Sequence, residues 1–256
     1  MYKIYPYQFQ YVPCNIPSDG TPRELFEDCF EGCQCSYDSC QNSDGDILCT
    51  CLTHGLWYSF DGRLLPEVLT PESRAVVQEC HNACKCSTTC INRVVQHGIR
   101  VQLELFVDAT KGLSVRTLEP LKRGQFVCEY AGEILTESEA RNVAEILSPA
   151  DMNFLFTLRE NLSQGVHCTY YYPRHKGNIG RFINHSCEPN LSVVPVRIRN
   201  SIPHLCLFAS RDISEATEVT YDYGHGSAVS DSENSGTVCR CGTAMCKGFL
   251  PGYNVF

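Results

Sequence analysis

The hydrophobic and polar positions along the chain predict mainly short strands. Five segments are short, rich in β-branched and aromatic residues, and bounded by glycine, proline or asparagine, which is typical of strands. They are residues 101–107, 125–132, 153–158, 191–198 and 204–210. Because no helical patterns alternate with them, the sequence favours an antiparallel, mostly β body.

Helical patterns are few. Thr136 and Glu139 form a capping box, in which the two side chains satisfy the first free N–H groups of a helix. The residues that follow on one face are apolar: Ala140, Val143, Ala144 and Leu147. They predict a helix over 136–147. A second helix is expected to open at Thr70-Pro71, because proline is favoured at the first helical position.

Composition narrows the class of protein. The chain has 256 residues, of which 43% are hydrophobic, and a net charge of −8. No apolar run reaches the ~18–20 residues of a membrane span, and the first residues show no secretory signal. The negative charge disfavours direct DNA binding, since such binders carry basic patches. It suits a basic partner instead.

Cysteine is the unusual feature, at 18 residues. Without a secretory signal, the pattern indicates metal binding rather than disulfides. Nine cysteines form two blocks: Cys33, Cys35, Cys40, Cys49, Cys51, Cys80, Cys84, Cys86 and Cys90. Six terminal and three bridging thiolates would supply the roughly twelve ligand positions that three tetrahedral zinc ions need.

A second metal site is predicted at the end of the chain. Cys239, Cys241 and Cys246 lack one ligand for a tetrahedron, and Cys187 is the expected fourth. Four zinc ions held by these thirteen thiolates would bring the net charge to about −13. Of the other cysteines, Cys128 and Cys206 lie in apolar strands and are expected to pack as small hydrophobes. Cys14, Cys29 and Cys168 lack metal spacing.

Several motifs resemble those of SET-domain lysine methyltransferases. They are RFINHSCEPN at 181–190, VTYDYG at 219–224 and EYAGE at 129–133. The nine-cysteine block resembles a pre-SET module and the three-cysteine tail a post-SET module. The resemblance covers about residues 30–250.

The resemblance implies a mostly β SET fold with a knot-like threading and few short helices. It also implies a division of the chain into an N-terminal arm (1–28), a three-zinc pre-SET module (29–98), a SET catalytic domain (99–224), a flexible linker (225–238) and a one-zinc post-SET tail (239–256). The implied cofactors are S-adenosyl-L-methionine as methyl donor and structural zinc. The implied substrate is a lysine of a histone tail, with histone H3 favoured, and the implied location is the nucleus and its chromosomes.

The same resemblance assigns roles to single residues. Tyr223 would orient the substrate amine, Tyr130 would line the lysine channel, and Tyr221 would set the number of methyl groups added. A hydroxyl at Tyr221 favours mono- or dimethylation. The donor would be held by Lys111, Gly112, Leu113, Ser114, Phe154, Arg181, Asn184 and His185.

Four positions depart from the family pattern. Leu113 and Ser114 replace a tryptophan and a glycine of the donor turn, Phe154 replaces a tyrosine, and Tyr172 replaces an aspartate. These departures leave a second hypothesis open beside the active enzyme: a zinc-stabilised module that binds histone tails with weak or no turnover.

Overall fold

The computed structural model describes residues 9–27, 30–35, 40, 49–52, 55–70, 76–147, 153–162, 165–224 and 234–251. The strands are β1 (Gln10–Tyr11), β2 (Ile16–Pro17), β3 (Val77–Gln78), β4 (Leu103–Asp108), β5 (Gly112–Thr117), β6 (Phe126–Glu129), β7 (Gly132–Leu135), β8 (Phe156–Leu162), β9 (Gly165–Gly177), β10 (Asn184–His185), β11 (Leu191–Arg197), β12 (His204–Ala209), β13 (Thr220–Tyr221), β14 (Asn234–Val238) and β15 (Phe249–Pro251). Within these residues, one α-helix forms, α1 (Glu137–Ile146), and short 3-10 helices span Arg23–Phe26, Thr50–Leu52, Val95–His97 and Ile179–Phe182.

Two sheets form the body. One has the strand order β1-β9-β7-β2, with β8 also paired to β9, and the other has the order β3-β11-β12-β6. Three two-stranded pairs complete the described part: β4–β5, β10–β13 and β14–β15. The long pairs are antiparallel, as the sequence predicts, whereas four two-residue pairs are parallel. Parallel pairing needs long connections, and each of these pairs joins segments far apart in the chain.

The predicted strands are present, with two corrections. The segment 125–132 is not one strand, because the chain leaves one sheet after Glu129 and enters the other at Gly132. The segment 153–158 starts as a strand only at Phe156 and continues to Leu162. Within β9, the run Tyr170–Tyr172 is buried. Tyr171 belongs to one hydrophobic cluster, and Tyr170 and Tyr172 belong to another.

Helix α1 begins at the predicted capping box: Thr136 accepts from the Glu139 backbone, and the Glu139 carboxylate accepts from the Thr136 N–H. Of the predicted apolar face, only Ala140 is fully buried, so the face packs over a narrower stripe than expected. The second predicted helix, after Thr70, lies outside the described residues. Within the described segments, no helix combines the length and apolar character that crossing a bilayer requires.

The flanking segments are part of the body. The nine cysteines share a core with Tyr58, Phe126 and Phe208, so the cysteine module packs directly on the second sheet. In the N-terminal arm, β1 and β2 pair with β9 and β7. The predicted linker ends earlier than expected, because residues 234–238 form β14. This strand pairs with β15, and the three cysteines of the tail lie in the segment between the two strands.

Candidate active site and metal centres

The nine N-terminal thiols converge in one buried cluster. Seven of them make up three overlapping groups of four, and within each group the sulfurs lie within 4.8 Å of one another. Cys84 joins through Cys51 at 3.7 Å. Cys90 belongs to the same buried cluster, and hydrogen bonds from Cys40 and Cys80 lower the pKa of its thiol.

The spacing fits zinc. A tetrahedral ion with Zn–S bonds of ~2.3 Å separates its sulfurs by about 3.8 Å. The Sγ–Sγ distances are 3.8 Å for Cys33–Cys40, 3.6 Å for Cys40–Cys80 and 3.8 Å for Cys49–Cys80. Backbone N–H groups of Cys33 and His81 donate to Cys84, and such donors stabilise a ligating thiolate. The cluster therefore has the donors, spacing and outer hydrogen bonds of a three-zinc site.

The C-terminal thiols form a separate site with Cys187, as the sequence predicts. Cys187, Cys239, Cys241 and Cys246 lie within 4.8 Å of one another, and the Cys187–Cys239 distance is 3.8 Å. The backbone N–H of Lys247 donates to Cys187. This tetrad fits a fourth zinc ion, which would fasten the tail to the loop that follows β10.

A parallel bridge brings the two main sequence motifs together. In the β10–β13 pair, Asn184 lies opposite Thr220 and His185 opposite Tyr221. His185 Nδ1 accepts from the backbone N–H of Tyr223 at 3.2 Å, and its Nε2 lies 3.4 Å from Cys187 Sγ. Burial lowers the pKa of His185 despite the nearby Asp222, and Nδ1 acts as an acceptor for the Tyr223 N–H. His185 thus connects the metal tail to Tyr223.

The tyrosines predicted to act on the substrate form one aromatic cluster. Ring centroids are 4.8 Å apart for Tyr221–Tyr223 and 6.1 Å for Tyr130–Tyr221, and Phe156 packs against Tyr130 and Tyr221. The Tyr223 hydroxyl donates to Ile183 O at 2.9 Å, and the Tyr130 hydroxyl donates to Phe154 O at 2.8 Å. A hydroxyl whose proton is used in this way keeps its oxygen lone pairs as acceptors.

Two glycines, one in EYAGE and one just before RFINHSCEPN, allow this close arrangement. A Cβ on Gly132 would lie 2.7 Å from Pro173 Cα, and one on Gly180 would lie 2.6 Å from Glu129 O. Neither backbone position can accept a side chain without moving a neighbouring strand. The close packing of the backbone near Tyr130 therefore requires glycine at both Gly132 and Gly180.

The predicted donor turn lies beside Asn184. Its Nδ2 donates to Leu113 O at 3.1 Å and Ser114 Oγ at 2.7 Å. Gly112 has a φ of 83°, in the region that favours glycine. Ser114 lies in β5 and is fully buried, so its replacement of a glycine adds a hydrogen-bond partner for Asn184.

Glu218 is a site residue that the sequence analysis missed. Its carboxylate forms an ion pair with Lys111 and lies 3.3 Å from Asn184 Nδ2. It connects two predicted donor residues that are 73 positions apart. Its place just before the VTYDYG motif was the available signal, because it is the charged residue leading into a buried strand.

Arg181 is held by aromatic rings. Its guanidinium carbon lies 4.4 Å from the centre of the Phe154 ring, 4.7 Å from that of Phe9 and 4.6 Å from that of Phe182. Its Nε and Nη2 donate to Pro173 O and Arg174 O. Burial lowers the pKa of Arg181 from its usual value. Tyr172, by contrast, packs with Leu135 and Ala140 beneath α1.

The cysteines outside the two metal sites differ in their surroundings. Cys128 and Cys206 are fully buried in strands, which confirms their expected packing. Cys14 is exposed and Cys168 half-exposed, both without a disulfide. Cys29 lies outside the described residues.

Comparison with known proteins identifies the family. The SET domain model matches residues 112–224, and the Pre-SET motif model matches residues 2–93. The chain is 38% identical over 258 residues to the histone-lysine N-methyltransferase SETMAR of Bos taurus, across 96% of this chain and 82% of that protein.

Solved structures agree. The methyltransferase domain of human SETMAR aligns with a TM-score of 0.83 and 35% identity, covering 98% of this chain and 92% of that one. KRYPTONITE, solved in complex with mCHH DNA, an H3(1-15) peptide and SAH, aligns with a TM-score of 0.71 and 30% identity, covering 94% of this chain and 47% of that one. This chain belongs to the SET-domain histone-lysine N-methyltransferases, which use S-adenosylmethionine.

Proposed function

We propose that this chain transfers a methyl group from S-adenosylmethionine to a lysine of the histone H3 tail and stops at mono- or dimethylation. The observation that carries the proposal is the β10–β13 pair, which sets His185 opposite Tyr221, while the backbone N–H of Tyr223 donates to the His185 ring. In this proposal the donor site and the aromatic lysine site are adjacent at this pair.

The chemistry requires a neutral amine. Lysine has a reference pKa of ~10.4, so removing its proton at pH 7 costs roughly 4.6 kcal/mol. The aromatic cluster of Tyr130, Phe156 and Tyr221 is almost wholly buried, and a desolvated site of this kind favours the uncharged form. We assign the deprotonation to the entry of the lysine into this cluster, with the proton released to water.

The tyrosines then orient the amine. The Tyr223 hydroxyl donates its own proton to Ile183 O, so an N–H of the substrate would be received by the oxygen lone pairs. This leaves the nitrogen lone pair for attack on the methyl carbon. S-adenosylmethionine supplies a methyl group on a sulfonium, and the new N–C bond forms as the C–S bond breaks. Alignment of the reacting groups supplies much of the rate acceleration.

Tyr221 limits the product in this proposal. It lies 3% exposed between Tyr130 and Tyr223. A phenolic hydroxyl there reduces the room beside the amine and can hold a water molecule. Both effects oppose the rotation that a third methyl transfer needs.

The donor is assigned to the surface formed by Lys111–Ser114, Phe154, Arg181, Asn184 and His185. Lys111 and Asn184 are both fixed by Glu218, so their directions are set before the donor binds. Such preorganisation lowers the entropy cost of binding. In His185 the ring is already bonded on both sides, which leaves its backbone to contact the donor.

The protein partners follow from charge and family. A net charge of −8, more negative once thiolates bind zinc, attracts the lysine- and arginine-rich H3 tail. We place the protein in the nucleus on chromatin, with DNA contacted through the nucleosome rather than by this chain alone. No membrane partner is proposed. The five-part domain division of the sequence analysis is kept as part of this proposal, except that the post-SET tail begins with β14 at Asn234.

The test is methyl transfer from labelled donor to a panel of H3 peptides, each carrying one candidate lysine. The wild type should transfer label to one of the peptides. The Tyr223→Phe variant should transfer none while keeping the same zinc content. Calorimetry with S-adenosylmethionine separates the alternative: peptide binding without donor binding would show a histone-tail module rather than an enzyme.

A further inference from the structure

The N-terminal arm reaches the donor side of the active site. Phe9 lies next to β1, whose pairing with β9 and the Val12 N–H bond to Gly177 O fix the arm along the first sheet. The Phe9 ring packs edge-on against Phe182 at 5.6 Å and lies over the Arg181 guanidinium at 4.7 Å. The arm therefore contributes one ring to the box around Arg181.

The other walls of that box come from the catalytic domain. Phe154 lies on Arg181 at 4.4 Å, and the carbonyl of Phe154 accepts the Tyr130 hydroxyl. Carbonyls of Pro173 and Arg174 bind two of the guanidinium nitrogens. A continuous set of contacts thus runs from Phe9 through Arg181 and Phe154 to Tyr130.

A second contact joins the arm to the same region. Asn15, which is buried, accepts from the Gly132 N–H at 3.2 Å, two residues after Tyr130. Ser18 and Gly20 bond the Glu139 carboxylate at the start of α1. Together with the pairing of β1 with β9 and of β2 with β7, these bonds anchor the arm at four places, which fixes β1 and the chain that follows it.

We propose that Phe9 is a positioning residue for donor binding: its ring holds Arg181 against Phe154 in the orientation that binds S-adenosylmethionine. The proposal rests on the proposed function for the role of Arg181. A free arginine side chain loses rotamer entropy when it becomes fixed, and the Phe9 ring over the guanidinium restricts that freedom before the donor arrives. The N-terminal arm is then part of the donor site.

The test uses the full, zinc-loaded chain and compares Phe9→Ala, Phe9→Leu and Phe9→Tyr with Tyr11→Ala. Tyr11 is the matched control, because it lies on the same arm with its side chain 59% exposed. Calorimetry gives the Kd for S-adenosylmethionine, and steady-state kinetics give the separate KM values for donor and peptide. We expect Phe9→Ala to weaken donor binding about two- to thirtyfold with an unchanged peptide KM. Phe9→Tyr should bind as the wild type does, and Phe9→Leu should resemble Phe9→Ala.

A second readout does not depend on the donor. Phenylglyoxal modifies exposed guanidinium groups, and mass spectrometry of the peptide containing Arg181 gives its labelling rate. Phe9→Ala and Phe9→Leu should be labelled at Arg181 severalfold faster than the wild type and Tyr11→Ala. The proposal would be overturned if Phe9→Leu had the labelling rate at Arg181 and the donor affinity of the wild type. This test also holds if Phe9→Ala fails to fold. If the wild type binds no donor, the proposed function fails, and an unchanged labelling rate would still refute the role of Phe9.

Discussion

The amide nitrogen of Asn184 lies 2.7 Å from the hydroxyl of Ser114, one of the four positions at which the sequence analysis identified a departure from the expected family pattern. The pair joins the donor turn to the β10–β13 bridge. In the sequence alone, Ser114 counted against donor binding. In the structure, its hydroxyl forms a hydrogen bond with Asn184, one of the predicted donor residues.

Removing that hydroxyl should weaken donor binding. In Ser114→Ala the Asn184 amide loses its shortest bond, worth about 0.5–1.5 kcal/mol, so the donor KM should rise about two- to tenfold while the peptide KM stays the same. Ser201→Ala, on an exposed loop, is the control. Equal donor KM values in both variants would show that the Asn184–Ser114 bond has no part in binding.

Glu218 should be required to hold the donor residues in place. Glu218→Gln removes the charge that pairs with Lys111 while preserving size, and a partly buried charge left without its partner is costly. We expect a donor KM raised about tenfold or more, with Glu215→Gln, an exposed neighbour, unchanged. Measurement of both KM values checks this, and a Glu218→Gln enzyme with wild-type constants would refute it.

The metal of the tail should be separable from the metal of the cysteine module. Cys187→Ser removes one thiolate of the C-terminal tetrad, so elemental analysis should find about three zinc ions per chain instead of about four. Methyl transfer should be lost, because His185 contacts both Cys187 and Tyr223. Cys14→Ser alters an exposed thiol outside both sites and should retain all zinc and activity. Full zinc content in Cys187→Ser would contradict the assignment.

Stability should depend on pH through His204. Burial disfavours its charge, but Glu129, whose carboxylate lies 3.0 Å from Nδ1, outweighs this and raises the pKa of His204. Glu79 adds to the rise and Arg199 opposes it.

A folded-state pKa above the unfolded value of about 6.5 means that the pair stabilises the fold fully below that pH. The contribution is lost as the pH rises through the folded-state pKa. Denaturant unfolding at several pH values should show that His204→Gln destabilises the chain more at pH 6 than in alkaline solution. His175→Gln, at an exposed position, should show no such trend, and a pH-independent His204→Gln effect would disprove the account.

The product should change when the Tyr221 hydroxyl is removed. Tyr221→Phe keeps the ring contacts with Tyr130 and Tyr223 but gives more room beside the amine. Mass spectrometry of the peptide should show mono- and dimethylation for the wild type and trimethylation for the variant. Dominant trimethylation by the wild type would show that Tyr221 does not limit the product.

Local patterns in the sequence predicted much of this structure. The capping box at Thr136 predicted the start of α1. Cysteine spacing grouped the thiols into two metal sites, and the four-ligand requirement of zinc added Cys187 to the second. These features depend on neighbours in sequence or on the fixed demands of one ion.

The features that the sequence did not predict depend on distant pairings. Two-residue parallel bridges, such as His185 opposite Tyr221, carry no periodic signal, and the change of sheet between Glu129 and Gly132 is invisible within one apolar run. Glu218 was missed for the same reason: its partners Lys111 and Asn184 become neighbours only after the strands pair.

The most direct test of the central claim follows the mass of an H3 peptide incubated with S-adenosylmethionine and the zinc-loaded chain. The account predicts addition of one and then two methyl groups by the wild type, and none by Tyr223→Phe with the same zinc content. An unmodified peptide with the wild type, or equal methylation by Tyr223→Phe, would contradict it.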